Sequence, residues 1–97
     1  MRRYEVIVQP EAQAEIEAIR KYQNEIDPKR ARRFLLALEE CLRELGDLAT
    51  FQKRKRSFRH VMLKELPYRV VFEIEGDKVF IYQVRHTSQR PSKRFGP

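Results

Sequence analysis

The chain opens with Tyr4, Glu5, Val6, Ile7 and Val8, a short β-branched run that predicts a strand. Pro10 stops that strand and suits the first position of a helix, with Glu11 in the first turn beside the positive end of the helix dipole. From there Ala12, Ile16, Ile19 and Gln23 recur at spacings of 4, 3 and 4, while Glu15, Glu17, Arg20 and Lys21 face elsewhere. That pattern predicts an amphipathic helix of about four turns. Asp27 followed by Pro28 is a second start signal, an N-cap with proline at the first helical position. Phe34, Leu38, Leu42 and Leu45 then repeat at 4, 4 and 3, widened by Ala31 and Leu35, and Gly46 is the expected C-cap. With so few residues between them, the two helices should form an antiparallel hairpin.

The period changes after Phe51. Residues 58–63 fit a strand, and Tyr68 to Glu75 fits one better. Gly76-Asp77 reads as a two-residue hairpin turn leading into a last strand, Lys78 to His86. The tail from Thr87 is polar and broken by Pro91, an extended cover or a mobile end. The expected fold is therefore α+β in the order β-α-α-β-β-β: an N-terminal strand and a two-helix hairpin packed on one face of a small, mainly antiparallel sheet. One domain over residues 1–97 accounts for the whole chain.

A two-residue turn sets a register. It pairs Val70 with Gln83, Phe72 with Ile81 and Ile74 with Val79 on the face toward the helices. The other face then holds Arg69, Val71 and Glu73 with Phe80, Tyr82, Val84 and His86. Arg69 would sit opposite Val84, with Tyr82 and His86 as diagonal neighbours about 7–8 Å away, close enough for one phosphate-sized anion to touch all three.

Composition adds a charge asymmetry. The 97 residues carry 21 Lys/Arg and 14 Asp/Glu, a net +7. Residues 1–51 hold nine basic and ten acidic groups, whereas residues 52–97 hold twelve basic and four acidic, so the whole excess lies in the second half. Such a half suits nucleic acid or an acidic protein partner; the plain alternative is a soluble surface. A single cysteine, Cys41, excludes an internal disulfide framework and fits a reducing, cytoplasmic setting as a small buried hydrophobe. No stretch approaches the roughly 18 apolar residues of a membrane span, so no membrane partner is expected.

Candidate chemistry is sparse. Cys41, His60 and His86 lack metal-ligand spacing, and the three glycines form no phosphate loop, so neither metal nor cofactor is expected. Cleavage of RNA needs a proton acceptor for the ribose hydroxyl, a donor for the leaving oxygen and cations for the phosphate. His86, Tyr82 and Arg69, helped by Arg85 or Arg90, contain those residue types. The plain alternative is that His86 only ends a strand and Arg69 pairs with an acid such as Glu73. The run Lys53, Arg54, Lys55 and Arg56, with Arg59 nearby, is either a solvated connection or a docking patch for nucleic acid or an acidic segment. No aromatic residue interleaves with the run, so base stacking is not signalled.

Four segments resemble the RelE/ParE superfamily of toxins from type II toxin–antitoxin modules. They are the opening strand-plus-helix, the second helix beginning Asp27-Pro28-Lys29-Arg30-Ala31-Arg32-Arg33-Phe34, and the runs 66–74 and 79–88. The resemblance implies a cytoplasmic, growth-inhibiting toxin of a plasmid-stabilisation or addiction module, held in a tight complex by a cognate acidic antitoxin, with heterotetramers or larger assemblies left open. RelE-like members cut messenger RNA on the ribosome; ParE-like members poison DNA gyrase and lack the ribonuclease residues. Arg69 matches the strand arginine of the ribonucleases but is also usual in ParE-like chains. His86 lies roughly where some ribonucleases carry a basic or acid–base residue. Thr87 stands where an arginine is common, and Phe95 lacks the hydroxyl of their C-terminal tyrosine. With its two long helices the chain leans toward the gyrase poisons. The ribosome-dependent endoribonuclease, using Arg69, His86, Tyr82 and Arg85, is the alternative, and a non-toxic scaffold that binds antitoxin or DNA is the third reading. Target or antitoxin contacts are expected at Lys53, Arg54, Lys55, Arg56, Arg59, Arg90 and Arg94.

Overall fold

The computed structural model describes residues 4–47 and 59–88. Its elements are β1 (Glu5–Val8), α1 (Pro10–Ile26), α2 (Pro28–Asp47), β2 (Arg59–Met62), β3 (Tyr68–Glu75) and β4 (Lys78–His86). The sheet order is β1-β4-β3-β2; β1 runs parallel to β4 and the other pairs are antiparallel. Both helices lie on one face of the sheet, as the amphipathic stripes require.

One residue makes the hairpin tip. Asp27 is extended; its backbone N–H closes α1 on the Gln23 carbonyl at 2.9 Å, and its Oδ1 accepts from the Lys29 N–H at 3.0 Å to open α2. The two stripes meet the sheet through Ala12, Ile16, Phe34, Leu38, Cys41 and Leu45 against Val70, Phe72, Val79 and Ile81. Phe34 lies tilted on Tyr68 at 5.1 Å between ring centres. Leu35, read as part of the stripe, is instead 38% exposed.

Gly46 differs from its expected role. It is helical and buried, inside α2 rather than beyond its end. A close approach explains the glycine: the Tyr4 N–H donates to the Gly46 carbonyl at 2.8 Å, and a Cβ there would lie 3.2 Å from Val6 Cγ2. The turn at Gly76-Asp77 does need glycine's freedom, with φ of 63° at Gly76.

The register follows the two-residue turn from Glu75–Lys78 to Phe72–Ile81 and then shifts. Beyond a bulge at Tyr82, Val71 pairs with Gln83, Val70 with Val84, Arg69 with Arg85 and Tyr68 with His86. Every expected pairing past Ile81 is thus displaced by one residue, and the side chains after the bulge change faces. Packing favours the shift. Val84 enters the core at 1% exposure, a position that unbroken alternation would have given to Gln83. Gln83 turns instead toward α1, where its Nε2 donates to Glu11 Oε2 at 3.3 Å.

The shift coincides with the end of β1. That strand covers β4 only as far as Ile81, whose carbonyl accepts from the Gln9 N–H at 2.9 Å. Past that point α1 runs beside β4. Glu15 supplies the missing partner, accepting from the Val84 N–H at 2.9 Å and from Arg85 Nε at 2.7 Å.

Two consequences can be measured. Gly46→Val places branched carbon where Val6 and the Tyr4 carbonyl already sit, and should lower stability by about 1–3 kcal/mol in urea unfolding, a typical cost of overpacking. Cys41 lies in the core with its thiol pushed up to about 11, chiefly by burial and then by Glu44 and Glu40. Its stabilising contribution is complete below its ordinary value of 9.0 and is lost as pH rises toward about 11. A thiol-reactive dye near neutral pH should therefore label native Cys41 far more slowly than the urea-unfolded chain.

Candidate functional site

The bulge divides the expected site between the two faces of the sheet. Arg69 keeps its place away from the helices, because Tyr68 and Val70 on either side of it point into the core. Directly opposite it is Arg85, and on its other flank Met62. Tyr82 serves this face too, its hydroxyl donating to Glu73 Oε1 at 3.0 Å. Glu73 therefore engages Tyr82, and Arg69 has no ion-pair partner among the described residues. Arg85 is anchored by Glu15, with their side chains 35% and 19% exposed.

Arg69 and Arg85 are paired across neighbouring strands and Glu15 balances only Arg85, so the pair keeps a positive charge that favours an anion on this face. One histidine does reach it. His60 on β2 pairs with Val71, diagonal to Arg69. Its role was legible only through the β2–β3 register, which the sequence pattern left open.

His86, expected beside Arg69, is on the helix face. Its ring meets Tyr68 edge-on at 5.4 Å and 86°. The Ser88 N–H donates to His86 Nδ1 at 3.0 Å, and the Ser88 hydroxyl lies 2.7 Å from the same nitrogen. His86 lines a cleft of about 370 Å³ between the hairpin tip and the β2–β3 connection. Tyr22 and Gln23 come from α1, Arg30 and Arg33 from α2, and Leu66 and Pro67 from the connection. Below it runs a relay absent from the sequence reading: Arg30 Nε donates to Gln23 Oε1 at 2.9 Å, and Gln23 Nε2 donates to the Tyr68 hydroxyl at 2.6 Å.

The structure thus brings Arg69, Arg85 and Tyr82 to one face and places His86 on the other. Arg59 lies on β2 opposite Phe72. Lys53, Arg54, Lys55, Arg56, Arg90 and Arg94 lie outside the described residues.

Residues 6–91 match the family model described as the ParE toxin of type II toxin–antitoxin systems, parDE. The fold is similar to that of a solved chain from the chromosomal ParDE toxin–antitoxin system of P. aeruginosa, with a TM-score of 0.72 at 17% identity, covering 86% of this chain and 95% of that one. No curated protein matches the sequence.

The Arg69–Arg85 pair, in which Glu15 balances only Arg85, sets an expectation for stability. Arg69→Gln should leave the protein equally or more stable, by up to about 1 kcal/mol. The gain should shrink as salt screens the repulsion. Thermal melts at low and high salt decide it: a large loss of stability would show that Arg69 is held by a favourable contact.

Proposed function

The chain belongs to the ParE toxin family of type II toxin–antitoxin systems, and from that premise we propose that it arrests growth by poisoning DNA gyrase in the cytoplasm and is silenced by a cognate acidic antitoxin. The observation that carries the choice of target is the split made by the bulge. A ribonuclease needs its proton-transfer group and its phosphate-holding cations within hydrogen-bond reach of one scissile bond. Here His86 lies behind the sheet from Arg69 and Arg85. An inhibitor that acts by binding needs no such assembly. The antitoxin part rests on family membership and on the net charge of +7, which favours an acidic partner by steering and by arginine–carboxylate contacts.

A second reading keeps some support. Arg69 and Arg85 facing each other beside Tyr82, with His60 diagonal to Arg69, would suit a phosphodiester, as a ribosome-dependent endoribonuclease requires.

Induction of the protein and of its variants in cells separates these readings. A gyrase poison should induce the DNA-damage response and trap gyrase on DNA, and His86→Gln should kill as well as the parent. A ribonuclease should leave messages cut at ribosomal A sites. In that case Arg69→Ala should lower the cleavage rate by about 10²–10³ while circular dichroism stays unchanged. Absence of any growth defect would overturn both readings in favour of a scaffold.

A further inference from the structure

The cleft at the hairpin tip has no part in either reading of the target, yet its charge is organised. Arg30 and Arg33 sit three residues apart on α2, so both reach the same side of the helix. None of the residues lining the cleft is acidic. The first turn of α2 has no acidic residue either, and carries Lys29 and Arg30 against the positive end of its own dipole. Asp27, just before the helix, caps its first N–H groups, but it does not line the cleft, so the charges of Arg30 and Arg33 there remain for an anion from outside.

Arg30 is also held in place. The bond from its Nε to Gln23, and from Gln23 to Tyr68, ties it to two residues that are 7% and 5% exposed. An arginine fixed this way loses less freedom when a carboxylate arrives. Arg33 has no ion-pair partner among the described residues. The surroundings are apolar: Leu66 and Pro67 form one wall, and Tyr22 stands at the rim with 60% exposure. Ile26, one turn beyond Tyr22, is 49% exposed, and Leu36, one turn beyond Arg33, is 58% exposed. A free small anion has no use for this apolar margin, whereas a polypeptide alternating acidic and apolar side chains fits it.

We propose that this cleft seats an acidic segment of the antitoxin, with one carboxylate held between Arg30 and Arg33 and a neighbouring apolar side chain against Tyr22, Leu66 and Pro67. The proposal rests on the toxin–antitoxin reading. Gln23 and Tyr68 are positioning residues that aim Arg30.

The probe is the product of the reading frame found to adjoin that of the toxin, which the proposal requires to be acidic. Its association with the purified toxin is followed by biolayer interferometry over a range of salt. Arg30→Gln with Arg33→Gln should weaken the complex about 30-fold or more and flatten its salt dependence. Arg32→Gln with Arg43→Gln removes the same charge from exposed sites on the same helix, outside the cleft. That pair should weaken the complex by less than about 5-fold. Tyr68→Phe should speed dissociation and leave the salt dependence unchanged, and circular dichroism confirms that each variant folds. Equal weakening by the two double variants would overturn the proposal, since general electrostatics would then suffice. So would loss of toxicity in the Arg30/Arg33 variant with full antitoxin affinity, because the cleft would then face the target. A parent toxin that forms no complex at all would overturn the toxin–antitoxin reading itself, an outcome distinct from failure at the cleft.

Discussion

A carboxylate stands where a strand is missing. β1 is four residues long and leaves β4 uncovered beyond Ile81, while β4 continues to His86. An open edge there would leave backbone groups without partners beneath a helix that excludes water. Glu15 meets both needs, accepting the Val84 N–H and the Arg85 guanidinium on its two oxygens. Hydrogen bonds with one charged partner are worth about 1.5–3 kcal/mol each, less here for the arginine because it is partly exposed. The pair also fixes where α1 lies. With Glu15 tied to Val84 and Arg85 near the end of β4, the helix continues toward Tyr68 and His86, and the hairpin tip falls over that end of the sheet.

The bulge belongs to the same arrangement. A ladder loses its constraint where its neighbour on one side stops, and an extra residue is accommodated there at least cost. The gain is chemical sorting: Val84 goes into the core, and Gln83 and Arg85 reach the two acids of α1 spaced one turn apart. Burying a valine side chain is worth about 1.5–3 kcal/mol, whereas Gln83 in that place would need polar partners inside an apolar cluster. One inserted residue therefore improves the core and at the same time carries His86 across the sheet.

What could be read in the sequence was whatever is decided locally. Pro10, the Asp27-Pro28 pair, the apolar stripes of the helices and the Gly76-Asp77 turn each act within a few residues, and each element they mark is present. The register near the turn held for the same reason, through Phe72 and Ile81. The rest depended on contacts between distant parts of the chain. Nothing around Glu15 announces a partner 69 residues away, and without that partner the alternation of β4 gives no warning of a bulge. Gly46 was misread because glycine near a helix end usually serves the cap, whereas here the close passage of Tyr4 and Val6 selects it. The Gln23–Tyr68 relay was hidden in the same way: Gln23 was legible as a position on the buried stripe, but its bonds were not.

The division of His86 from Arg69 leaves two cationic pairs on opposite sides of one sheet, and they are built alike. In each, one arginine is anchored from α1, Arg85 by Glu15 and Arg30 by Gln23. In each, the second arginine, Arg69 or Arg33, has no ion-pair partner among the described residues. The anchors differ in charge, and that difference matters. Glu15 neutralises Arg85, so the outer pair presents about one net charge beside Glu73 and Tyr82. Gln23 fixes Arg30 without neutralising it, so the cleft keeps both charges, while the α2 N-terminus beside it is already capped by Asp27. For an incoming anion the cleft is accordingly the stronger electrostatic trap, and the outer face, with one cation already satisfied, is the weaker one. A helix that donates a carboxylate to one face and an amide to the other has thus set the relative strength of two surfaces with two side chains two turns apart.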